Sequence, residues 1–80
     1  MQPKSTINTL EQREYYIDLF EKYKSFLTQT QAQCFQLYFF ENLSYQEIAD
    51  IGATTRSAAY DSVKKAVQKL EKMHLKMQQN

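Results

Sequence analysis

Eighty residues with 42% hydrophobic content, one Gly, one Pro and one Cys make one domain too small for two cores. They also argue against a turn-rich β fold and an internal disulfide framework. The net charge of +1 hides an asymmetry: residues 1–55 carry four Lys/Arg against seven Asp/Glu (−3), and residues 56–80 carry six against two (+4). No apolar run approaches the ~20 residues of a membrane span, and no positively flanked signal core stands at the start. A soluble cytoplasmic protein with no membrane partner is therefore expected, and a single thiol fits a reducing compartment.

In chain order, the polar residues 1–8 (MQPKSTIN) predict a flexible N-terminus, ahead of a single domain over residues 9–77 and a frayed end at 78–80. Asn8 or Thr9 is placed to cap a helix over residues 9–26. Its Tyr16, Leu19, Phe20, Tyr23, Phe26 and Leu27 fall at three- and four-residue steps and predict one wide buried face. Thr28-x-x-Gln31 is a capping box that opens a second helix over residues 29–42. Cys34, Phe35, Leu37, Tyr38, Phe39 and Phe40 cover most of its directions, so this helix is expected at the buried centre of the domain. Cys34 then reads as a small inert core residue.

Residues 43–65, LSYQEIADIGATTRSAAYDSVKK, have the pattern of a helix-turn-helix. Ser44-x-x-Glu47 is a second capping box, with Leu43 and Ile48 as the matching hydrophobic staple. A short helix over residues 45–50 follows. The turn centres on Gly52, where a positive φ is expected because Gly adopts it at little cost. Thr55 is the expected cap of a last helix over residues 56–77. In that helix Ala59, Val63, Ala66, Leu70, Met73 and Met77 step by four and three, a seam of coiled-coil type. The seam is expected to pack on the first helix or to form a homodimer. The predicted core includes Phe35, Tyr38, Phe39, Ile48, Val63 and Leu70, in an all-α, small helical bundle with a long C-terminal helix.

The opening of the last helix carries the candidate site: Arg56, Ser57, Tyr60, Asp61, Lys64, Lys65 and Lys69. A helix presented in this way is the usual probe of a DNA major groove. Arg56, Ser57 and Tyr60 are assigned to base edges and Lys64, Lys65 and Lys69 to phosphates. Structured RNA is the other polyanion that fits, because Tyr60 and Arg56 can stack on unpaired bases. Asp61 either repels the phosphates or pairs with Lys65 four residues on.

Other chemistries lack their residues. One Gly excludes Gly-rich phosphate loops. One His and one Cys cannot assemble a metal cluster or a zinc motif. No nucleophile–base pair is apparent, and an 80-residue bundle has little room for a pocket. The expectation is no enzyme, no metal, no cofactor and no small-molecule substrate.

From Leu27 to Leu70 the chain resembles the YlxM family, small bacterial proteins whose genes neighbour that of the signal recognition particle GTPase, and more distantly region 4 of sigma factors. The matching residues are Leu27-Thr28-x-x-Gln31, Leu37-Tyr38, Leu43-Ser44-x-x-Glu47-Ile48-Ala49 and Arg56-x-Ala58-x-Tyr60-Asp61-x-Val63-Lys64. The resemblance implies a helix-turn-helix of sigma-region-4 type and an accessory or regulatory role in co-translational targeting, with signal recognition particle components as partners. Gly52 and Thr54 stand where the family has bulky apolar residues, and Ala59 replaces a larger aliphatic. Unfilled, each such position costs about 1–3 kcal/mol, unless Ile51 swings in. The expected function is thus a helix-turn-helix nucleic-acid-binding protein. The alternative is a protein-interaction module that keeps the fold as a scaffold.

Overall fold

The computed structural model describes residues 10–78; the expectations for the N-terminal segment, the Asn8/Thr9 cap and the last two residues lie outside them. Four helices follow one another: α1 Leu10–Tyr23, α2 Gln29–Phe39, α3 Tyr45–Ile51 and α4 Arg56–Gln78. The predicted first helix ends three residues early, because Lys24–Phe26 tighten into a 3-10 turn. Among the described residues there is no strand, and no helix is long and apolar enough to cross a membrane.

Side-chain caps fix where the helices begin. The Gln31 amide donates to Thr28 Oγ1 at 3.1 Å, and the Thr28 amide donates to Gln31 Oε1 at 3.1 Å. In the second box the Glu47 amide donates to Ser44 Oγ at 3.2 Å and the Ser44 amide to Glu47 Oε1 at 2.8 Å. The Ala58 amide donates to Thr55 Oγ1 at 3.1 Å. Each bond satisfies an amide that has no partner inside its own helix.

The buried core is Leu19 and Phe20 of α1, Phe35 and Phe39 of α2, Ile48 and Ala49 of α3, and Ala59, Val63, Ala66 and Leu70 of α4. Phe20 and Phe35 stack nearly parallel with centroids 4.6 Å apart, and Phe35 and Phe39 meet at 4.4 Å. The centre of the bundle is α4, which packs against each of the other three helices, rather than α2 as the sequence suggests. Two of its buried positions are alanines, which let neighbouring helices approach closely. Its 23 residues span about 34 Å at 1.5 Å per residue, long enough to meet α2, α3 and α1 in turn. The aromatic wealth of α2 is only partly used: Tyr38 and Cys34 are half-buried and Phe40 is exposed. Phe26, expected inside, is also exposed.

α1 covers the far half of the α4 seam. The Tyr16 hydroxyl donates to Glu71 Oε2 at 2.9 Å, and His74 lies near the rings of Tyr15 and Tyr23, each centroid 6.2 Å away. Arg13 donates to the Phe39 carbonyl, placing a cation at the C-terminal end of α2 where the helix dipole favours one. Beyond His74, Leu75 and Met77 remain exposed.

Candidate nucleic-acid interface

The interface rests on the turn joining α3 to α4. Gly52 has an ordinary negative φ of −89°, contrary to expectation. The left-handed residue is its neighbour Ala53, at φ 53°. The Ala53 amide donates to the Asp50 carbonyl at 3.4 Å and the Thr54 amide to the Ala49 carbonyl at 2.9 Å, the paired bonds of a Schellman ending. The glycine therefore stands one position before the site that needs it. A Cβ at Gly52 would meet only Ile48 O at 3.6 Å and Thr54 Cγ2 at 3.8 Å, which is ordinary contact.

A groove lies beside the turn. Cys34, Leu37, Ile48, Gly52, Thr54 and Ala58 help to line a concavity of about 360 Å³ between α2 and the helix-turn-helix. Ile51 does not fill it and is 56% exposed. Cys34, expected in the core, opens onto this groove half-exposed.

Arg56, Ser57, Tyr60, Asp61, Lys64, Lys65 and Lys69 are all exposed on α4, but they divide between two flanks. Arg56, Tyr60 and Lys64 follow at four-residue steps on the α3 side. There Arg56, Ser57 and Tyr60 join Tyr45 around a notch of about 520 Å³. The rings of Tyr45 and Tyr60 meet at 87° with centroids 5.2 Å apart. Tyr45 is backed in turn by a parallel stack on Tyr38 at 4.8 Å. Lys64 Nζ stands 5.9 Å from the Tyr60 ring centroid, a cation–π distance. Burial, and then the neighbouring Tyr38, pushes the Tyr45 hydroxyl well above its ordinary value of 10, so it keeps its proton at neutral pH.

Lys69 follows Tyr60 by nine residues, half a turn around the axis at about 100° per residue. With Lys65, Gln68, Lys72 and Gln31 of α2 it lines a shallow groove on the opposite flank. Asp61 sits between the two flanks and pairs with Lys65 at 3.3 Å. The other acid of this helix, Glu71, is engaged by Tyr16. Among the described residues no ion pair involves Arg56, Lys64, Lys69, Lys72 or Lys76.

Sequence reasoning missed Tyr45, Gln31, Gln68 and Lys72. For Lys72 a signal existed, since it continues the step from Lys65 and Lys69 by three. Tyr45 gave none: its contact with Tyr60 crosses the turn between two helices. Among the described residues no group of three or more His, Cys, Asp or Glu is arranged to hold a metal ion.

The family model of UPF0122, whose description is "Putative helix-turn-helix protein, YlxM / p13 like", matches residues 10–80. A UPF0122 protein of Mycoplasma mycoides is 42% identical over 77 residues, which cover 91% of this chain and 68% of the relative. One of Mycoplasma capricolum is 41% identical over 76 residues, covering 90% of this chain and 67% of the relative. One of Clostridium acetobutylicum is 39% identical over 56 residues, 70% of this chain and 48% of its own length. The chain thus spans about two-thirds of the mycoplasma relatives and about half of the clostridial one. No solved structure matches it.

Proposed function

The chain belongs to the UPF0122 family, and from that premise we propose that it is a non-enzymatic regulatory protein that binds nucleic acid along the open side of α4. One observation carries the reading. Both acids of α4 are occupied, Asp61 by Lys65 and Glu71 by Tyr16, while Arg56, Lys64, Lys69 and Lys72 stay exposed. The two flanks of the helix then offer separate cation groups to two runs of phosphate, such as the two walls of a groove. Arg56 and Ser57, at the opening of the helix, are the groups nearest to base edges in this arrangement. Resemblance to YlxM supports a regulatory role beside the signal recognition particle, in which the polyanion is structured RNA.

The test is salt dependence. Titration of fluorescent duplex DNA and of a folded RNA hairpin at 50–300 mM salt should give a log–log slope of about −3 to −4, one unit per neutralised phosphate. A flat slope, or no binding at low salt to either probe, removes the proposal. A second reading, a protein-interaction module, is favoured by the groove at Gly52 and Thr54. Capture of a protein partner that persists after nuclease treatment, with neither nucleic acid bound, would select it.

A further inference from the structure

We propose that the notch between Tyr45 and Tyr60 is a socket for one unpaired nucleobase, so that the preferred ligand presents a splayed-out base beside its phosphates. The inference rests on the nucleic-acid reading above and specifies its ligand.

Base faces inside a duplex are covered by their neighbours, and a groove exposes only base edges. What α4 offers beside α3 suits a face. Two aromatic rings stand at 87° to one another, 5.2 Å apart, and together with Arg56 and Ser57 they line one open concavity of about 520 Å³. That size lies within the roughly 300–1,000 Å³ of small-molecule sites. A base laid flat on one ring turns its edge to the face of the other, which combines a stacked and an edge-to-face contact. Tyr60 is 47% exposed, so solvent and a ligand can reach it. Tyr45 is held rigid by its stack on Tyr38, so its ring wall is preformed.

The charges agree. None of the lining residues is acidic. Arg56 stands one turn before Tyr60 and Lys64 one turn after it, each about 6 Å along the axis. Cations so placed can hold the phosphates on the two sides of a nucleotide whose base enters the notch. The Ser57 hydroxyl both donates and accepts hydrogen bonds, and stacking tolerates every base. Sequence preference at this position should therefore be weak.

The experiment uses three fluorescent probes with the full chain: a single-stranded 12-mer, the same 12-residue backbone with its bases removed, and the 12-base-pair duplex. The base-bearing strand should bind about 5- to 150-fold more tightly than the base-free one, the range for one base stacked on an aromatic. Tyr60→Ala should abolish that difference, so that the base-bearing and base-free strands bind the variant alike. Tyr60→Phe should keep it, and Lys64→Ala should weaken all three probes alike. Circular dichroism of each variant verifies that the helices persist. Equal binding of the base-bearing and base-free strands, or a Tyr60→Ala loss that is the same on both, overturns the socket. If the duplex binds with the expected salt slope but the single strand gains nothing from its bases, the socket falls and the nucleic-acid reading stands. If no probe binds, both fall.

Discussion

Asp61 sets the local charge of the candidate face of α4. A carboxylate among phosphate-seeking lysines ordinarily repels the ligand, and its removal then tightens binding. Here its charge is offset by Lys65 at 3.3 Å, with both side chains more than half exposed. Surface pairs of this spacing contribute about 0.3–0.5 kcal/mol. Asp61→Asn is therefore expected to leave affinity for either probe within about twofold and to lower thermal stability only slightly. A tenfold gain in affinity measured by anisotropy would mean that the carboxylate faces phosphate after all. Lys64→Ala, which removes a cation with no acidic partner among the described residues, should flatten the salt slope by about one unit. Lys65→Ala should flatten it by less, since Lys65 is shared with Asp61. Equal effects of the two lysines in parallel titrations would contradict that division.

At the scale of elements, helix starts were legible in the sequence and helix ends were less so: the first helix stops at Tyr23 rather than 26 and the second at Phe39 rather than 42. Capping boxes are local, with both partners three residues apart, so Thr28/Gln31 and Ser44/Glu47 were recognisable from spacing alone. The end of α3 has a glycine, which points to Gly52 as the left-handed residue, yet the paired bonds place that conformation at Ala53. The burial pattern was partly hidden for a related reason. Periodicity shows which residues of α2 share a face, but the close approach allowed by Ala59 and Ala66 is what makes α4 the centre. The Tyr45–Tyr60 contact was invisible because nothing in local spacing predicts how two helices meet. A left-handed conformation costs an L-residue about 1–2 kcal/mol, part of which Gly offsets through greater freedom in the unfolded chain. Ala53→Gly should accordingly stabilise the protein by about 0.5–1 kcal/mol, or about 2–8 °C in Tm. Gly52→Ala should be neutral or mildly stabilising. A thermal scan in which Ala53→Gly melts no higher than the parent contradicts this account of the turn.

For the whole molecule, the contact between α1 and α4 adds to the stability lost at alkaline pH, beside Tyr45, whose hydroxyl is raised further. Burial, and next the hydrogen bond to Glu71, raises the Tyr16 hydroxyl from 10 to about 12. The folded state thus prefers the protonated phenol more strongly than the unfolded chain does. Its contribution is complete below pH 10 and is lost as pH rises through 10 to about 12. Tyr16→Phe should cost about 1 kcal/mol at neutral pH and should reduce the fall in stability across that alkaline window. Urea melts at pH 7, 10 and 11.5 check both, and an unchanged alkaline slope in the variant would dissociate the effect from Tyr16. The same packing narrows the expectation of a homodimer through the α4 seam. α1 covers the seam as far as His74, which leaves Leu75 and Met77 as the exposed apolar residues of the last turns. Leu75→Glu combined with Met77→Glu should turn a dimer into a monomer in sedimentation at tens of micromolar, with helicity retained. A monomeric parent under those conditions removes that expectation.

The separation of charge along the chain, −3 before residue 56 and +4 from it onward, has a kinetic consequence. The acids before residue 56 lie on α1, at Glu41 and on α3, while six basic residues are carried on α4. On the nucleic-acid reading proposed above, charge divided in this way lets a polyanion orient the molecule before contact. Steering of this kind raises encounter rates by about 10- to 1,000-fold and fades as ionic strength grows. Stopped-flow association should therefore slow with added salt even in the Tyr60→Ala protein, whose loss should show in dissociation. Arrival and retention would then be separable properties of one helix.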